Sequence, residues 1–441
     1  MPRIEGLRTA AWHGDLPLAL DFPDGWEITA HWPRTSPPLD DAALRAALEH
    51  PIGQPPIHAL CRGKSHPVII VDDLCRPTPA SRVMPFVLDQ FRQGGIAANQ
   101  ITIVMATGTH GLTSSDWVAK KVGPEAASAC RLVTHDSRRS GVRLGFTPAG
   151  TPVIANREVA AADFLVGIGG IYPSGNTGFG GGAKLALGVL TLGCIACLHN
   201  RHPDVGWGLA PRNSSFRDDL DAVCRLVKLD TILTLHINHH REVARAISGD
   251  HFRYFPGEVS FARARFAAPL PADADVVLCN TYPIDVSLTF ARSKGMVPFL
   301  HAPPTASRIA IAACSEGPGV HGLFPVFDVP FFHPRRVHLR RLAALGPAHA
   351  LRAVARRIFS KPHLHTPLQK SSPAARRVGT PTHPIWLYRT AAHAPPLPRA
   401  RGFAVSLSWA EVINAVMQEQ GDRRNLRVAL YPCAPLQCFD M

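Results

Sequence analysis

The sequence contains no continuous apolar segment long enough to cross a membrane. No run of about 18 apolar residues occurs in the chain, and the N-terminal stretch MPRIEGLRTAAWHGD has no apolar core of signal-peptide length. The ten cysteines are scattered and lack the spacing of a disulfide framework. We therefore expect a protein of the reducing cytoplasm that has no membrane partner.

Acidic residues are also few, with 33 Asp and Glu against 47 Lys and Arg, which gives a formal net charge of +14. A large share of the basic residues lies in 334–377, where no nucleic-acid-binding motif and no aromatic interleaving occur. The pattern is typical of a solvated basic helix face, and such a field would also steer an anionic small substrate. No nucleic-acid partner is expected.

One stretch, residues 164–202, places a strand, a glycine-rich turn, a lysine and a helix in succession. Residues 164–168 form an apolar run typical of a buried strand, and 184–198 have a helix-like pattern. Glycines lack Cβ, so backbone N–H groups can close on a bound group, and a helix N-terminus attracts anions. The turn contains Gly175, Gly178, Gly180, Gly181 and Gly182.

Lys184 begins this predicted helix, and two interpretations of it stay open. The stretch is neither a Walker A motif nor a dinucleotide fingerprint, because Ala183 and Leu185 flank the lysine and the glycine spacing differs. The loop is either a flexible connection whose lysine points into water, or a site that favours a neutral, nucleophilic amine.

Polar residues follow two other predicted strands, 67–72 and 101–106. Alternating strands and helices predict a parallel sheet, with ligand chemistry at the carboxyl ends of its strands. Asp73 and Arg76 follow the first strand, and His110 follows the second. The arginine can bind an anion and the histidine can transfer protons near neutral pH, or the three residues only fix their loops.

The length of 441 residues predicts more than one domain. We divide the chain into 1–270 and 271–441, with a proline- and alanine-rich hinge at 255–273. A helix predicted at 285–299 carries Lys294, and residues 360–400 have the composition of a loosely ordered excursion.

Cys194, Cys197, His199 and His202 form a C-x2-C-x-H-x2-H pattern. Structural zinc sites usually take their second ligand pair from a distant stretch of the chain. We therefore interpret the two cysteines of this pattern as buried core residues rather than zinc ligands. His199 alone is the better candidate ligand, because a neutral imidazole suits nickel, copper or zinc.

Several segments, in this order, resemble the nickel-pincer-dependent lactate racemase family. The resemblance covers most of the chain up to about residue 325 and implies an N-terminal Rossmann-like α/β domain, a smaller α/β C-terminal domain and a site in the cleft between them. The matching segments are DDLCRPTP (72–79), ATGTH (106–110), GIGGIYPSGNTGFGGGAK (167–184), CLHN (197–200), YPIDVSLTFARSKG (282–295) and AACSEGPG (312–319).

The resemblance implies a covalently tethered cofactor, a nickel-pincer nucleotide derived from nicotinate. Lys184 corresponds to the lysine that forms the thioamide, and His199 to the histidine that completes the nickel coordination. Asp73 is implied as a cofactor-side residue, together with the glycines of the loop, Gly180, Gly181 and Gly182. Proteins that synthesise the cofactor are implied partners.

The implied reaction is the racemisation or epimerisation of a 2-hydroxy acid. A hydride leaves the α-carbon for the pincer ring while a histidine takes the hydroxyl proton, and the planar 2-oxo acid then receives the hydride on either face. His110 matches one acid/base histidine. Arg76 resembles the arginine that faces an anionic group of the substrate or cofactor, and Lys294 resembles the lysine that approaches the substrate carboxylate.

The segment at 172–174 departs from the family, which has Tyr-Pro-His where this chain has Tyr-Pro-Ser. A serine hydroxyl is a poor base without help, so a relay through Ser174 or a water is expected to replace the second histidine. The alternatives are a one-sided hydride-transfer enzyme and a silent homologue that binds the cofactor without turnover.

Overall fold

The computed structural model describes residues 1–34, 36–110, 115–209, 214–323, 382–398 and 402–439. The basic stretch predicted at 334–377 lies outside these described residues. Among the helices within them, none has both the length and the apolar character needed to cross a membrane. The architecture is α/β, as predicted, and is built on two six-stranded sheets.

The first sheet is parallel except at one edge, where its last strand in sequence pairs antiparallel to its neighbour. Its spatial order is β13-β12-β9-β4-β5-β6. The strands are β4 (Pro67–Asp72), β5 (Thr102–Ala106), β6 (Arg131–Thr134), β9 (Phe164–Gly170), β12 (Thr231–Ile237) and β13 (Val243–Gly249).

The continuous apolar runs of this sheet are explained by helices on both of its faces. Along β4, Ile69 and Val71 pack into one buried cluster, whereas Val68 and Ile70 pack into another on the opposite side. Side chains alternate across a strand, so a strand covered on both faces has no polar positions to spare. The polar residues Asp72 and Asp73 come only where the strand ends.

The second sheet is wholly parallel, in the order β18-β17-β16-β15-β19-β3. Its strands are β3 (Glu27–Ala30), β15 (Val276–Asn280), β16 (Ser307–Ala312), β17 (Ile385–Arg389), β18 (Phe403–Ser406) and β19 (Arg427–Tyr431). The N-terminal strand β3 thus pairs with β19 near the other end of the chain. The division at residue 270 stays a prediction, and residues 27–30 hydrogen-bond within the sheet of the later segment.

The remaining strands form two-stranded pairs, and the helices cover the sheets. The pairs are β1 (Arg3–Thr9) with β2 (Leu16–Asp21), β7 (Val142–Phe146) with β8 (Pro152–Ala155), β10 (Pro173–Ser174) with β11 (Gly178–Phe179), and β14 (Ala267–Ala268) with β20 (Cys438–Phe439). The helices are α1 (Asp41–Glu49), α2 (Ile57–Leu60), α3 (Met84–Gln93), α4 (Ser115–Val122), α5 (Pro124–Ala129), α6 (Arg157–Ala161), α7 (Lys184–Leu187), α8 (Leu192–Arg201), α9 (Ser215–Val227), α10 (His251–Phe266), α11 (Leu288–Gly295) and α12 (Trp409–Glu419).

The single helix predicted at 184–198 is wrong, because the segment forms two helices, α7 and α8. The break falls where Gly188 meets the end of β5. A Cβ on Gly188 would lie 2.7 Å from the Cβ of Ala106, and the Gly188 carbonyl accepts a hydrogen bond from the Gly108 amide at 2.9 Å. With only four residues, α7 also lacks the long helix N-terminus that we expected behind Lys184.

The hinge predicted at 255–273 is also wrong over most of its length, because α10 continues to Phe266. Tyr254, Glu258 and Ala262 are buried at helical spacing, so packing holds this helix together despite Pro256. The loose excursion predicted at 360–400 is contradicted at 385–389, where β17 pairs with β16 inside the second sheet.

Candidate functional site

A cavity of about 370 Å³ lies at the carboxyl ends of the first sheet's strands. Its other side is lined by residues of the segment 284–321, which includes α11 and strand β16 of the second sheet. Strands β4, β5 and β9 all end at this edge, so the loops that follow them line the cavity together. Gly182, alone among the predicted site residues, is not in the lining. The lining includes Asp73, Arg76, His110, Ser174, Gly180, Gly181, Lys184, His199 and Lys294.

Asp73 and His110 form a buried pair in which Nδ1 of His110 lies 2.6 Å from Oδ2 of Asp73. Burial lowers the pKa of His110 more than the carboxylate raises it, so the imidazole is neutral. Burial alone would raise the pKa of Asp73, but His110 and Arg76 outweigh it and keep the carboxyl ionised. Nδ1–H therefore donates to Asp73, and Nε2 carries the lone pair that can accept a proton.

Among the described residues, one group of three side chains has ligand atoms close enough together to share a metal ion: Asp73, Cys75 and His110. Burial raises the pKa of the Cys75 thiol well above its ordinary value, and the Cys75 amide already donates to Oδ1 of Asp73 at 3.1 Å. A protonated thiol is a poor ligand, so this group fits an acid–base pair better than a metal centre.

Lys121, which sequence reasoning did not identify, fixes the loop after β4 through an ion pair and hydrogen bonds. Its buried ammonium lies 2.5 Å from Oδ1 of Asp72 and donates to the carbonyls of Asp73 at 3.1 Å and Arg76 at 3.0 Å. Amphipathic spacing in a short helix gives no sign of such a role, since a lysine there is normally solvated.

Two cations, Arg76 and Lys294, face the cavity from opposite sheets. Burial lowers the pKa of Lys294 to about 7, and the nearby Arg76 adds to the shift. Lys294 occupies the last turn of α11, within the helix predicted there. The two side chains give the cavity the positive field that an anionic ligand needs.

The glycine-rich turn brings Lys184 to the cavity floor. Gly181 has φ +85° and a Cβ there would lie 2.6 Å from the Gly170 carbonyl, so the turn needs glycine. Nζ of Lys184 donates to Oγ of Ser174 at 2.9 Å and to Oγ1 of Thr177 at 3.2 Å. Burial lowers the pKa of this amine well below its ordinary value, with Lys294 and Arg76 contributing, which favours the neutral form of Lys184.

His199 lies on α8 and lines the same cavity. Its Nδ1 is 2.8 Å from the Ile195 carbonyl, which fixes the proton on Nδ1 and the lone pair on Nε2. Burial lowers its pKa to about 4, with the nearby Lys184 second in effect. A neutral imidazole oriented in this way is the state that binds a metal.

The other members of the C-x2-C-x-H-x2-H pattern do not join His199. Cys194 is buried in the apolar core, and its Sγ contacts Oγ1 of Thr191 at 3.2 Å. His202 contacts Asp219 instead, with Nε2 at 2.8 Å from Oδ2. The interpretation as a core cysteine is confirmed for Cys194. Among the described residues, the ligand atoms of this pattern do not come close enough together to hold one metal ion.

His321, which lies beside Phe290, is a site residue that sequence reasoning did not identify. The His321 ring lies 5.3 Å from that of His110, and Phe290 contacts both rings, at 4.7 Å from His110 and 6.0 Å from His321. His321 lies in the glycine-bearing loop after β16, where no periodic pattern marks it. A histidine two residues after Gly319 was the only available signal.

The chain is similar in sequence and in fold to known proteins. Residues 13–204 match the lactate racemase N-terminal domain family. The lactate racemase of Thermoanaerobacterium thermosaccharolyticum is 30% identical over 302 residues, 65% of this chain and 69% of that protein. The lactate racemase of Lactiplantibacillus plantarum is 27% identical over 320 residues, 69% of this chain and 74% of that protein. The structure of the former's apoprotein superposes with a TM-score of 0.70 at 22% identity, covering 100% of both chains, and has the same fold.

Proposed function

The chain belongs to the lactate racemase family, and on that premise we propose that it racemises or epimerises a 2-hydroxy acid by reversible hydride transfer. One observation carries the proposal. A neutral lysine, an oriented neutral histidine and a histidine–aspartate pair line a single cavity together with two cations.

The donor set of the cavity fits the nickel-pincer nucleotide that the family resemblance implies. Lys184 offers an uncharged amine for the thioamide bond, and His199 offers Nε2 to nickel. Gly180 and Gly181 let the backbone approach the bound group, and Gly182 serves the turn itself, where a Cβ would meet the Phe255 ring at 2.7 Å. When bound, this cofactor supplies a carbon centre that accepts and returns a hydride.

The protein side chains bind the substrate and move its proton. Arg76 and Lys294 bind the anionic groups of substrate or cofactor, because they are the cations that line the cavity from the two sheets. Nε2 of His110 takes the hydroxyl proton as the α-hydrogen leaves, and Asp73 stabilises the imidazolium that forms. On the return of the hydride the same proton goes back to the oxygen.

We propose that Ser174, or a water in its place, relays the proton that a second histidine would otherwise handle. Its hydroxyl accepts a hydrogen bond from Lys184 and lies in the cavity wall. We also propose that 1–270 and 271–441 act as two domains that enclose the substrate, and that cofactor-synthesising proteins load the chain.

The test is a racemisation assay after co-expression with the cofactor-synthesising proteins and nickel. Each enantiomer of an α-deuterated 2-hydroxy acid panel, lactate included, is converted and separated by chiral chromatography. We expect both enantiomers to form with deuterium retained at the α-carbon. Accumulation of the 2-oxo acid alone would indicate one-sided hydride transfer, and no turnover would indicate a silent homologue.

Matched lysine variants control this assay. Lys184→Ala should abolish racemisation, whereas Lys64→Ala should leave it unchanged, because Lys64 is exposed and outside the cavity. Loss of the deuterium to solvent would contradict hydride transfer, since it would mean that the α-hydrogen leaves as a proton.

A further inference from the structure

The loop that carries His321 is fixed on both sides of the cavity. The first amides of α11 donate to it, from Leu288 to the Gly317 carbonyl and from Thr289 to the Pro318 carbonyl, each at 3.0 Å. On the other side, the Gly322 amide donates to the Thr109 carbonyl at 2.7 Å. A loop anchored next to the catalytic base presents its side chain in a fixed place.

The two histidine rings are close neighbours at the cavity, with centroids 5.3 Å apart. Rings this close can both bind one ligand atom, since a hydrogen bond places a ring nitrogen about 2.8 Å from the oxygen. Phe290 contacts both rings and restricts their movement. Both imidazoles line the cavity.

The two imidazoles are held in complementary tautomers. His110 donates from Nδ1 to Asp73, so its Nε2 accepts. His321 accepts at Nδ1 from the Leu323 amide at 3.3 Å, so in its neutral form the proton is on Nε2. Burial lowers the pKa of His321 well below its ordinary value, and the neighbouring His110 and Lys294 act in the same direction, so the neutral form prevails.

We propose that His321 is a catalytic residue whose Nε2–H donates a hydrogen bond to the oxygen on the α-carbon of the substrate, the same oxygen that gives its proton to His110. This role rests on the proposed function. As the hydride leaves the α-carbon, the O–H bond breaks, the proton moves to Nε2 of His110, and the C=O bond forms. His321 keeps its proton throughout and stabilises the negative charge on the oxygen when the hydride returns. A neutral imidazole can polarise a carbonyl in this way.

The activity test compares two substitutions in the cofactor-loaded enzyme. His321→Phe removes the donor and should lower kcat about 10²- to 10³-fold. His321→Gln places an amide N–H near the position of Nε2 and should retain at least about tenfold more kcat than the phenylalanine variant, with the acid limb of the pH profile unchanged. Equal losses in the two variants, or losses within about threefold of wild type, would overturn the proposal.

A second readout needs no turnover. In wild-type protein labelled with ¹⁵N-histidine, the His321 resonances, assigned by comparison with His321→Gln, should be those of a neutral imidazole protonated at Nε2 at about pH 7. A proton on Nδ1 or an imidazolium at that pH would overturn the proposal.

A binding measurement separates this role from the proposed function. Pyruvate, as a 2-oxo acid, should bind the loaded His321→Phe variant at least about tenfold more weakly than the loaded His321→Gln variant. If the loaded wild-type enzyme racemises no substrate, the proposed function is contradicted. The tautomer of His321 and the two pyruvate affinities would still show whether His321 donates a hydrogen bond. Equal pyruvate affinities would contradict the donor role.

Discussion

Two histidine–carboxylate pairs of similar length lie in different surroundings. His110 and Asp73 are 2.6 Å apart at the cavity, and His202 and Asp219 are 2.8 Å apart between α8 and α9. In the second pair both ring nitrogens of His202 are engaged, because Nδ1 also contacts Oγ of Ser215 at 3.0 Å. In the first pair Nδ1 is bound to the carboxylate, and Nε2 is the nitrogen with which His110 can meet a ligand.

The comparison teaches that the pairing of residue types does not identify a catalytic pair. Asp219 accepts a second hydrogen bond, from Oγ1 of Thr151 at 2.6 Å, and connects α9 to the β7–β8 hairpin region. Asp73 follows a parallel strand and faces a cavity. We call His110 and Asp73 the site pair, and His202 and Asp219 the framework pair. Substitutions in the site pair are expected to lower activity, and substitutions in the framework pair to lower stability.

The largest effect is expected at the site pair. Asp73→Asn should lower kcat of the loaded enzyme about 10³- to 10⁴-fold, because an amide favours the wrong tautomer of His110 and cannot stabilise its imidazolium. Steady-state kinetics measure the loss, and nickel content checks that loading persists. A decrease in kcat of less than tenfold in Asp73→Asn would contradict the role of His110 as the base.

Asp219→Asn, at the framework pair, should lower the free energy of unfolding by about 1–3 kcal/mol and leave kcat of the folded enzyme within about threefold. Burial opposes ionisation of Asp219, but the hydrogen bonds from Thr151 and His202 outweigh it and lower its pKa. In wild type this contribution is present above the ordinary carboxyl pKa and is lost as the pH falls through the lowered one. Denaturant unfolding at two pH values would detect this pH-dependent contribution to stability. A large loss of kcat would contradict a purely structural role for the framework pair.

A smaller effect is expected at Lys294, whose cationic form prevails below its pKa of about 7. KM for a carboxylate substrate should rise above that pH, by at most about tenfold per unit, as the ammonium is lost. Lys294→Arg should flatten this rise, and Lys294→Gln should raise KM about tenfold at low pH with little further change. A KM that is independent of pH in wild type would place the substrate carboxylate elsewhere.

The smallest effect is expected at Ser174. Its hydroxyl is engaged by Lys184, so Ser174→Ala should slow cofactor attachment and change kcat of the loaded fraction by less than about tenfold. The comparison is made per nickel bound, with Lys64→Ala as the control. A loss of kcat as large as that of Asp73→Asn would show that the relay needs the Ser174 hydroxyl and that no water replaces it.

The strand-end residues could be predicted from sequence, because a parallel sheet brings the carboxyl ends of its strands to one edge. That rule sufficed for Asp73, Arg76 and His110. It did not reach His321, which follows β16 of the other sheet and meets His110 only through tertiary packing. Local periodicity likewise carries no information on which distant strand will pair with β3.

Gly188 shows why the helix boundary was missed. The segment 184–198 keeps a helical pattern across it, but the close approach of Ala106 to Gly188 breaks the helix. Lys121 was missed for a related reason, since its partners Asp72 and Asp73, at the end of β4 and just after it, lie at least 48 residues away in sequence. Contacts between distant segments decide both cases.

Intact mass and nickel content after co-expression with the cofactor-synthesising proteins test the central claim most directly. The wild-type chain should gain a nucleotide-sized adduct and nickel, and Lys184→Ala should gain neither, while Lys64→Ala behaves as wild type. An unmodified wild-type mass, obtained while a lactate racemase control is loaded in parallel, would contradict the covalent tether at Lys184.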